Sequence, residues 1–224
     1  MKKLNPIEIR ILGVLIEKES TTPDQYPLTL NSIILGSNQK SNRSPVTNFS
    51  ESEVFEACES LMQKHYVIRH HEVGARTAKF LHQVKGTENC SNLKLQVLSS
   101  LFLKGFQTPG EILQKIKRSC PDIQLHEVNI LLDEELKCES PWFKQLKKEP
   151  GKKESRWCHL WGDIDIQAVS ESPESPQPLF EASAQPSNGI EQALKSEIDT
   201  LKSEVSALKN EVSELHKKFN ELLN

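Results

Sequence analysis

The 224-residue chain is short of the side chains that build a large core: 36% of it is apolar and 6% aromatic. So little apolar surface cannot offset the ordering entropy of the whole chain, and one long segment is expected to stay outside any packed core. An excess of one charge is missing as well. Lys and Arg number 28 and Asp and Glu 31, a formal charge of −3, which excludes a strongly basic, histone-like protein and leaves only local charge to argue from. Long hydrophobic runs are absent. Glu8, Arg10 and Glu17 leave Ile11 to Ile16 as the uncharged apolar run of the first twenty residues, too short for an export signal. No stretch reaches the roughly 18 apolar residues of a membrane span, so no membrane partner is expected. The five cysteines, at 58, 90, 120, 138 and 158, form no C-x-x-C pair, and an odd number cannot close into intramolecular disulfides alone. A reducing cytoplasm is the expected location.

Charge divides the chain better than it describes the whole. Residues 1–87 carry 11 basic and 9 acidic groups, 88–165 carry 12 and 12, and 166–224 carry 5 and 10. The stretch 166–189 sets four prolines among Ser, Glu and Gln, a composition that favours an extended linker. Beyond it, in 190–224, Leu194, Ile198, Leu201, Val205, Leu208, Val212, Leu215, Phe219 and Leu222 recur by three and four. With β-branched residues at three of the a positions and Leu at d, this seam favours a parallel two-stranded coiled coil and hence a homodimer. Glu197 and Glu204 would then face Lys202 and Lys209 of the other copy. The competing reading is an amphipathic helix that packs on its own domain or on a different partner.

Residues 1–165 read as one pattern written twice, 1–87 and 88–165. Each copy opens with an apolar-striped helix, Ile7, Ile11, Val14 and Leu15 in the first and Leu95, Leu98, Leu101 and Phe102 in the second. Thr22-Pro23-Asp24-Gln25 and Thr108-Pro109-Gly110-Glu111 both fit a Thr cap with Pro at the first helical position and a Gln or Glu closing the box. Second helices are expected over 28–38 and 112–119. Third helices follow, with core stripes Val54, Cys58, Leu61 and Met62, and Leu125, Val128, Leu132 and Leu136. Ser50 and Glu53 make a capping box for the first of them, with Phe49 able to staple on Val54. Hairpins are expected over 66–84 around Gly74 and over 142–161 around Pro150-Gly151. Three helices and then a hairpin is the order of a winged helix. The offset between copies falls from 86 at Thr22 and Thr108 to 74 at Val54 and Val128, which places about a dozen extra residues in copy one, in the stretch that includes 37–48.

NQKSNRSPV at 38–46, SESEV at 50–54, GARTAKFLH at 74–82, TPGE at 108–111 and EPGKKESRWCHL at 149–160 together resemble the YceH-like family of uncharacterised bacterial proteins. The resemblance spans residues 4 to about 162. It implies a mostly α fold with small β-hairpin wings, two tandem winged-helix domains, to which a linker and a C-terminal coiled-coil helix are added here. Ser44 stands where the family usually has an acidic residue, and Thr47 where it usually has Met.

Winged helices often lay their third helix in the major groove, yet here those helices have the wrong sign for it. Residues 51–65 hold Glu51, Glu53, Glu56 and Glu59 against Lys64, and 124–138 hold Glu127, Asp133, Glu134 and Glu135 against Lys137. Favourable placement of Glu51 and Glu53 against the helix dipole explains part of this. Positive charge is placed elsewhere. Loop 37–46 offers Lys40 and Arg43 for phosphates and Asn38, Gln39 and Asn42 for base edges. Arg76 and Lys79 lie in the first wing, and Lys147, Lys148, Lys152, Lys153 and Arg156 in the second, where Lys144 to Arg156 has a net charge of +4. DNA binding through the loop and wings, without catalysis, is the leading expectation. A protein-interaction adaptor, favoured by the acidic third helices, is the alternative, and the same loop could clasp an acidic protein surface. No metal, cofactor or catalytic set is expected. Gly105 to Gly110 has the glycine spacing of a phosphate loop, but Glu111 and Ile112 replace its Lys and Ser/Thr. His70 and His71 adjoin on a strand and point apart. His82 and His159 occupy equivalent packing positions on the last strands of the two copies.

Overall fold

The computed structural model describes residues 3–71, 77–148, 151 and 154–163. The linker and the heptad seam from Leu194 to Leu222 lie outside the described residues. The fold is mixed α and β, helix-rich with small antiparallel sheets. α1 (Pro6–Thr21) leads through a 3-10 turn, Pro23–Gln25, to β1 (Leu28–Thr29), α2 (Leu30–Ser37), α3 (Glu51–Gln63), β2 (Val67–His70) and β3 (Lys79–His82). A short α4 (Val84–Glu88) connects to α5 (Asn92–Lys104), α6 (Pro109–Ile116), α7 (Leu125–Glu135), β4 (Phe143–Gln145) and β5 (Trp157–His159). The first sheet has the order β1-β3-β2, with Leu28 opposite Phe80 and Val67 opposite His82. In the second repeat β4 pairs with β5, Phe143 opposite His159. Gln107 bridges to Trp157 in the place that β1 holds in the first repeat.

Local chemistry sets most helix starts. Asn5 caps α1 and Glu8 closes its box, Pro6 fills the first position, and Ser50 with Glu53 and Thr108 with Glu111 do the same for α3 and α6. Thr22 does not cap a second helix. Its side chain makes no cap bond, and α2 begins eight residues later under Thr29, whose Oγ1 accepts from the Ser32 amide at 3.2 Å. The pairing of Leu28 with Phe80 holds the intervening segment extended, so tertiary contact overrides the local capping signal.

Aligned on Thr29 and Thr108, the connection between second and third helices is thirteen residues in the first repeat, 38–50, and eight in the second, 117–124. It is five residues longer, not a dozen. The α7 stripe is also narrower than its spacing predicts: Val128 and Leu132 are buried, but Leu125 and Leu136 are 40% and 55% exposed at its ends.

The two repeats share one continuous core. Every residue from Glu8 to Ile16 in α1 and from Leu95 to Leu103 in α5 is buried, because each helix packs on its own repeat with one face and on the other helix with the opposite face. Gly13 makes this approach possible: a Cβ there would lie 2.9 Å from the Cβ of Phe102. Ser99 Oγ donates to the Gly13 carbonyl at 3.0 Å across the same contact. The end of the second repeat returns to the start of the first. Leu4 N donates to the Trp161 carbonyl at 2.7 Å, and Trp161, fully buried, stacks edge and tilt against Tyr66, Phe102 and Trp142 at centroid distances of 5.2, 5.8 and 4.9 Å. All five cysteines are free. Among the described residues no helix is long and apolar enough to cross a membrane.

Candidate functional site

Loop 38–50 is tied down at both ends by side chains. Asn38 accepts from the Phe49 amide at 2.7 Å and donates to the Phe49 carbonyl at 2.8 Å, closing the loop as a strand pair would. Arg43 is buried, with no exposed side-chain area. Its guanidinium forms a fork on the Glu17 carboxylate at 2.6 and 3.3 Å, while Nε donates to the Gly36 carbonyl at 2.9 Å. Arg10, buried on α1, donates to the Ser37 and Pro45 carbonyls at 3.1 and 2.7 Å. Burial, and then the neighbouring Arg43 charge, lower the Arg10 pKa to about 10. The Ser44 amide reaches across to the Leu103 carbonyl of α5 at 2.8 Å, so the loop of the first repeat is seated on the second.

This placement changes the role of two expected DNA-contacting residues. Arg43 and Asn38 face inward and hold the loop, so neither is presented to a phosphate or a base as the structure stands. Gln39 is half-buried, with its carbonyl toward Arg43 and its amide on Ser41. Asn42 is half-buried and supplies the left-handed turn at φ 58°, a conformation its short side chain tolerates. Lys40 alone of the five stands exposed. Sequence spacing could not show the Arg43 partner, which lies 26 residues away on another helix.

In the wings, Lys147 and Lys148 are exposed beside Lys144, Lys79 is half-buried on β3, and Arg156 donates to the Phe106 carbonyl at 3.1 Å. Arg76, Lys152 and Lys153 lie outside the described residues. Arg69, on the outer strand β2, lies 3.9 Å from Glu59 and over the rings of Phe55 and Phe80. The loop and the two hairpins therefore do not gather one cluster of free cations among the described residues.

What the two repeats do present alike is the outward side of their third helices. On α3 this is Glu51, Glu56 and Phe55, all exposed; on α7 it is His126, Ile130, Asp133 and Glu134, with Ile130 54% exposed. Glu53 and Glu127 serve as caps, and Glu135 is buried, bonded to Lys94 and to the Trp142 amide at 2.5 Å.

A concave feature lies between the repeats. A cleft of about 320 Å³ is walled by the end of α1 (Glu17, Lys18), the loop (Gln39, Asn42), α5 (Gln96, Ser99) and the end of α6 (Lys115, Arg118). Lys115 reaches Glu17 at 3.6 Å, and burial depresses its pKa against the opposing pull of that carboxylate. From the sequence alone Arg10 and Glu17 only bound the apolar run Ile11 to Ile16, and Lys115 carries no assigned role. An Arg at the border of the apolar run of α1 was the available signal. Among the described residues no three His, Cys, Asp or Glu side chains are grouped to hold a metal ion. His82 and His159 sit at matching places on β3 and β5, His82 Nε2 3.0 Å from Glu19 and His159 edge-on to Phe102 at 4.9 Å.

Comparison with known proteins fits this architecture to one lineage. A family described as a protein of unknown function, DUF480, matches residues 4–152. A UPF0502 protein of Aliivibrio salmonicida is 42% identical over 180 residues, covering 77% of this chain and 81% of its own. UPF0502 proteins of Shewanella pealeana and Vibrio cholerae are 41% and 40% identical over 177 and 176 residues, each with 76% of this chain and 82% of its own covered. The chain belongs to the DUF480, or UPF0502, family of bacterial proteins, the YceH-like family its motifs resemble.

Proposed function

We propose that the chain is a tandem winged-helix protein that docks a protein partner on the outward faces of α3 and α7. The succession of three helices and a hairpin in each repeat, with β1 beside β3 in the first and the single bridge of Gln107 to Trp157 in the second, supports the winged-helix reading. One observation carries the docking: the helix that would enter a major groove is acidic and apolar in both repeats, Glu51, Glu56 and Phe55 in one and Asp133, Glu134 and Ile130 in the other. Carboxylates at these positions would face phosphates, whereas a protein surface with an apolar pocket rimmed by Lys or Arg complements them. The reading assigns no catalytic step.

Photo-reactive residues placed at Phe55 and Ile130 test it in living bacteria. The expected outcome is one cross-linked partner at fixed stoichiometry, insensitive to nuclease and lost on Glu56→Arg or Ile130→Arg. Cross-links only to nucleic acid, or a partner indifferent to both variants, would overturn it.

DNA contact is the second reading, and the exposed Lys144, Lys147 and Lys148 with Lys40 favour it. Fluorescence anisotropy on random duplex across a salt series measures it, and each lysine that touches phosphate is expected to contribute about 0.9 to the slope. The heptads from Leu194 to Leu222 support a homodimer, tested by sedimentation of the full chain against one ending at residue 189.

A further inference from the structure

The cleft between the repeats has a composition unlike a packing defect. Of its fourteen lining residues only Leu103 and Ile116 are apolar, and none is aromatic. Its volume of about 320 Å³ falls at the small end of ligand sites. Glu17 is the sole acidic group on its wall, facing Lys18, Lys115 and Arg118. That carboxylate also holds the buried Arg43 in a two-bond fork and lies 3.6 Å from Lys115, so a single acidic group stands against the three wall cations and Arg43. Lys115 has 15% of its side chain exposed, whereas Arg118 stands exposed at the rim. A concave space lined by excess cations and neutral donors is the chemistry that receives an anion.

We propose that this cleft binds a small sugar phosphate, its phosphate held between Lys115 and Arg118 and its hydroxyl groups against the side-chain amides of Gln39 and Asn42. The three wall cations match a doubly charged phosphate better than a single carboxylate. The absence of an aromatic platform argues against a nucleobase, and the scarcity of apolar lining against a fatty or aromatic acid. The occupant would touch α1 and the loop of the first repeat and α6 of the second at once, and so link the loop seated on Leu103 to the second repeat. The inference goes beyond the protein-docking reading and stands if that reading fails, because it uses no residue of the α3 and α7 faces.

Calorimetric titration of the full chain with ribose 5-phosphate, ribose, citrate and a short DNA duplex tests it. Saturable binding of ribose 5-phosphate and none of ribose is expected. Arg118→Gln, at an exposed position, should weaken it at least about tenfold, as loss of one charge-assisted hydrogen bond does, and Lys18→Gln and Lys115→Gln should weaken it also. Lys147→Gln, on the second hairpin, should leave it unchanged. No saturable binding, binding indifferent to the cleft variants, a response no greater than sulfate gives at equal ionic strength, or preference for citrate or the duplex would each overturn the proposal.

Discussion

The connections between the second and third helices of the two repeats solve the same problem differently. In the second repeat, residues 117–124 cross from α6 to α7 by a short turn in which Ser119 and Cys120 amides both return to the Ile116 carbonyl, at 2.9 and 2.8 Å. In the first, residues 38–50 are held by two buried arginines and an asparagine and are seated on α5. The difference shows where charge was placed inside: residue types that read as a nucleic-acid surface can serve as mortar when a helix behind them supplies a carboxylate and free carbonyls.

Breaking the mortar should have the largest effect. Arg43→Ala leaves Glu17 without its fork and the Gly36 and Asn42 carbonyls and Gln39 Oε1 without this donor, and is expected to cost about 3–4 kcal/mol in urea unfolding. Arg43→Lys should recover little of it, because an ammonium cannot make the fork on Glu17 and reach Gly36 as well. The matched histidines extend the comparison. His159 has its pKa lowered by burial to about 4, below its unfolded value, so protonation favours unfolding. Stability attached to it is complete above about pH 6.5 and is lost as pH falls toward 4, roughly 3 kcal/mol in all. His159→Leu should flatten stability over that window.

The contact that the repeats share comes next. Gly13→Ala forces a methyl to 2.9 Å from the Cβ of Phe102 and should cost about 1–3 kcal/mol by thermal unfolding. Gly86→Ala, where the nearest atom is the flexible Gln83 side chain at 3.4 Å, should change stability by less than about 1 kcal/mol. Smallest is Glu56→Arg on the outward face of α3, expected within about 0.5 kcal/mol of the parent, its effect confined to partner capture.

Much of this architecture was legible because it is local. Ser50 with Glu53, Thr108 with Glu111 and the stripes of α1 and α5 need only neighbours along the chain. Thr22 fitted the same grammar and misled, since the pairing of Leu28 with Phe80, far apart in sequence, decides where α2 begins. Periodicity located α7 but not the width of its buried face, so Leu125 and Leu136 were assigned to the core although the neighbouring elements stop short of them. Arg43 was the hardest case. Its exposure depended on Glu17, and nothing in the spacing of either residue places them together. The apolar run Ile11 to Ile16 of α1 did carry a signal of burial on two sides, and Arg10 at its border marked the point where a polar segment had to arrive.

That two-sided burial has a consequence for how the chain is made. The first repeat leaves the ribosome before α5 exists, with the back of α1 bare and the seat of its loop at Leu103 still unsynthesised. Its hairpin and third helix can assemble from contacts already present, but the apolar back of α1 and the ring of Tyr66 wait for Phe102 and Trp161. Completion of the core therefore needs two later stretches, one near residue 100 and another near 161. Neither half completes its own core, and a nascent first half would expose hydrophobic helix surface until the second arrives.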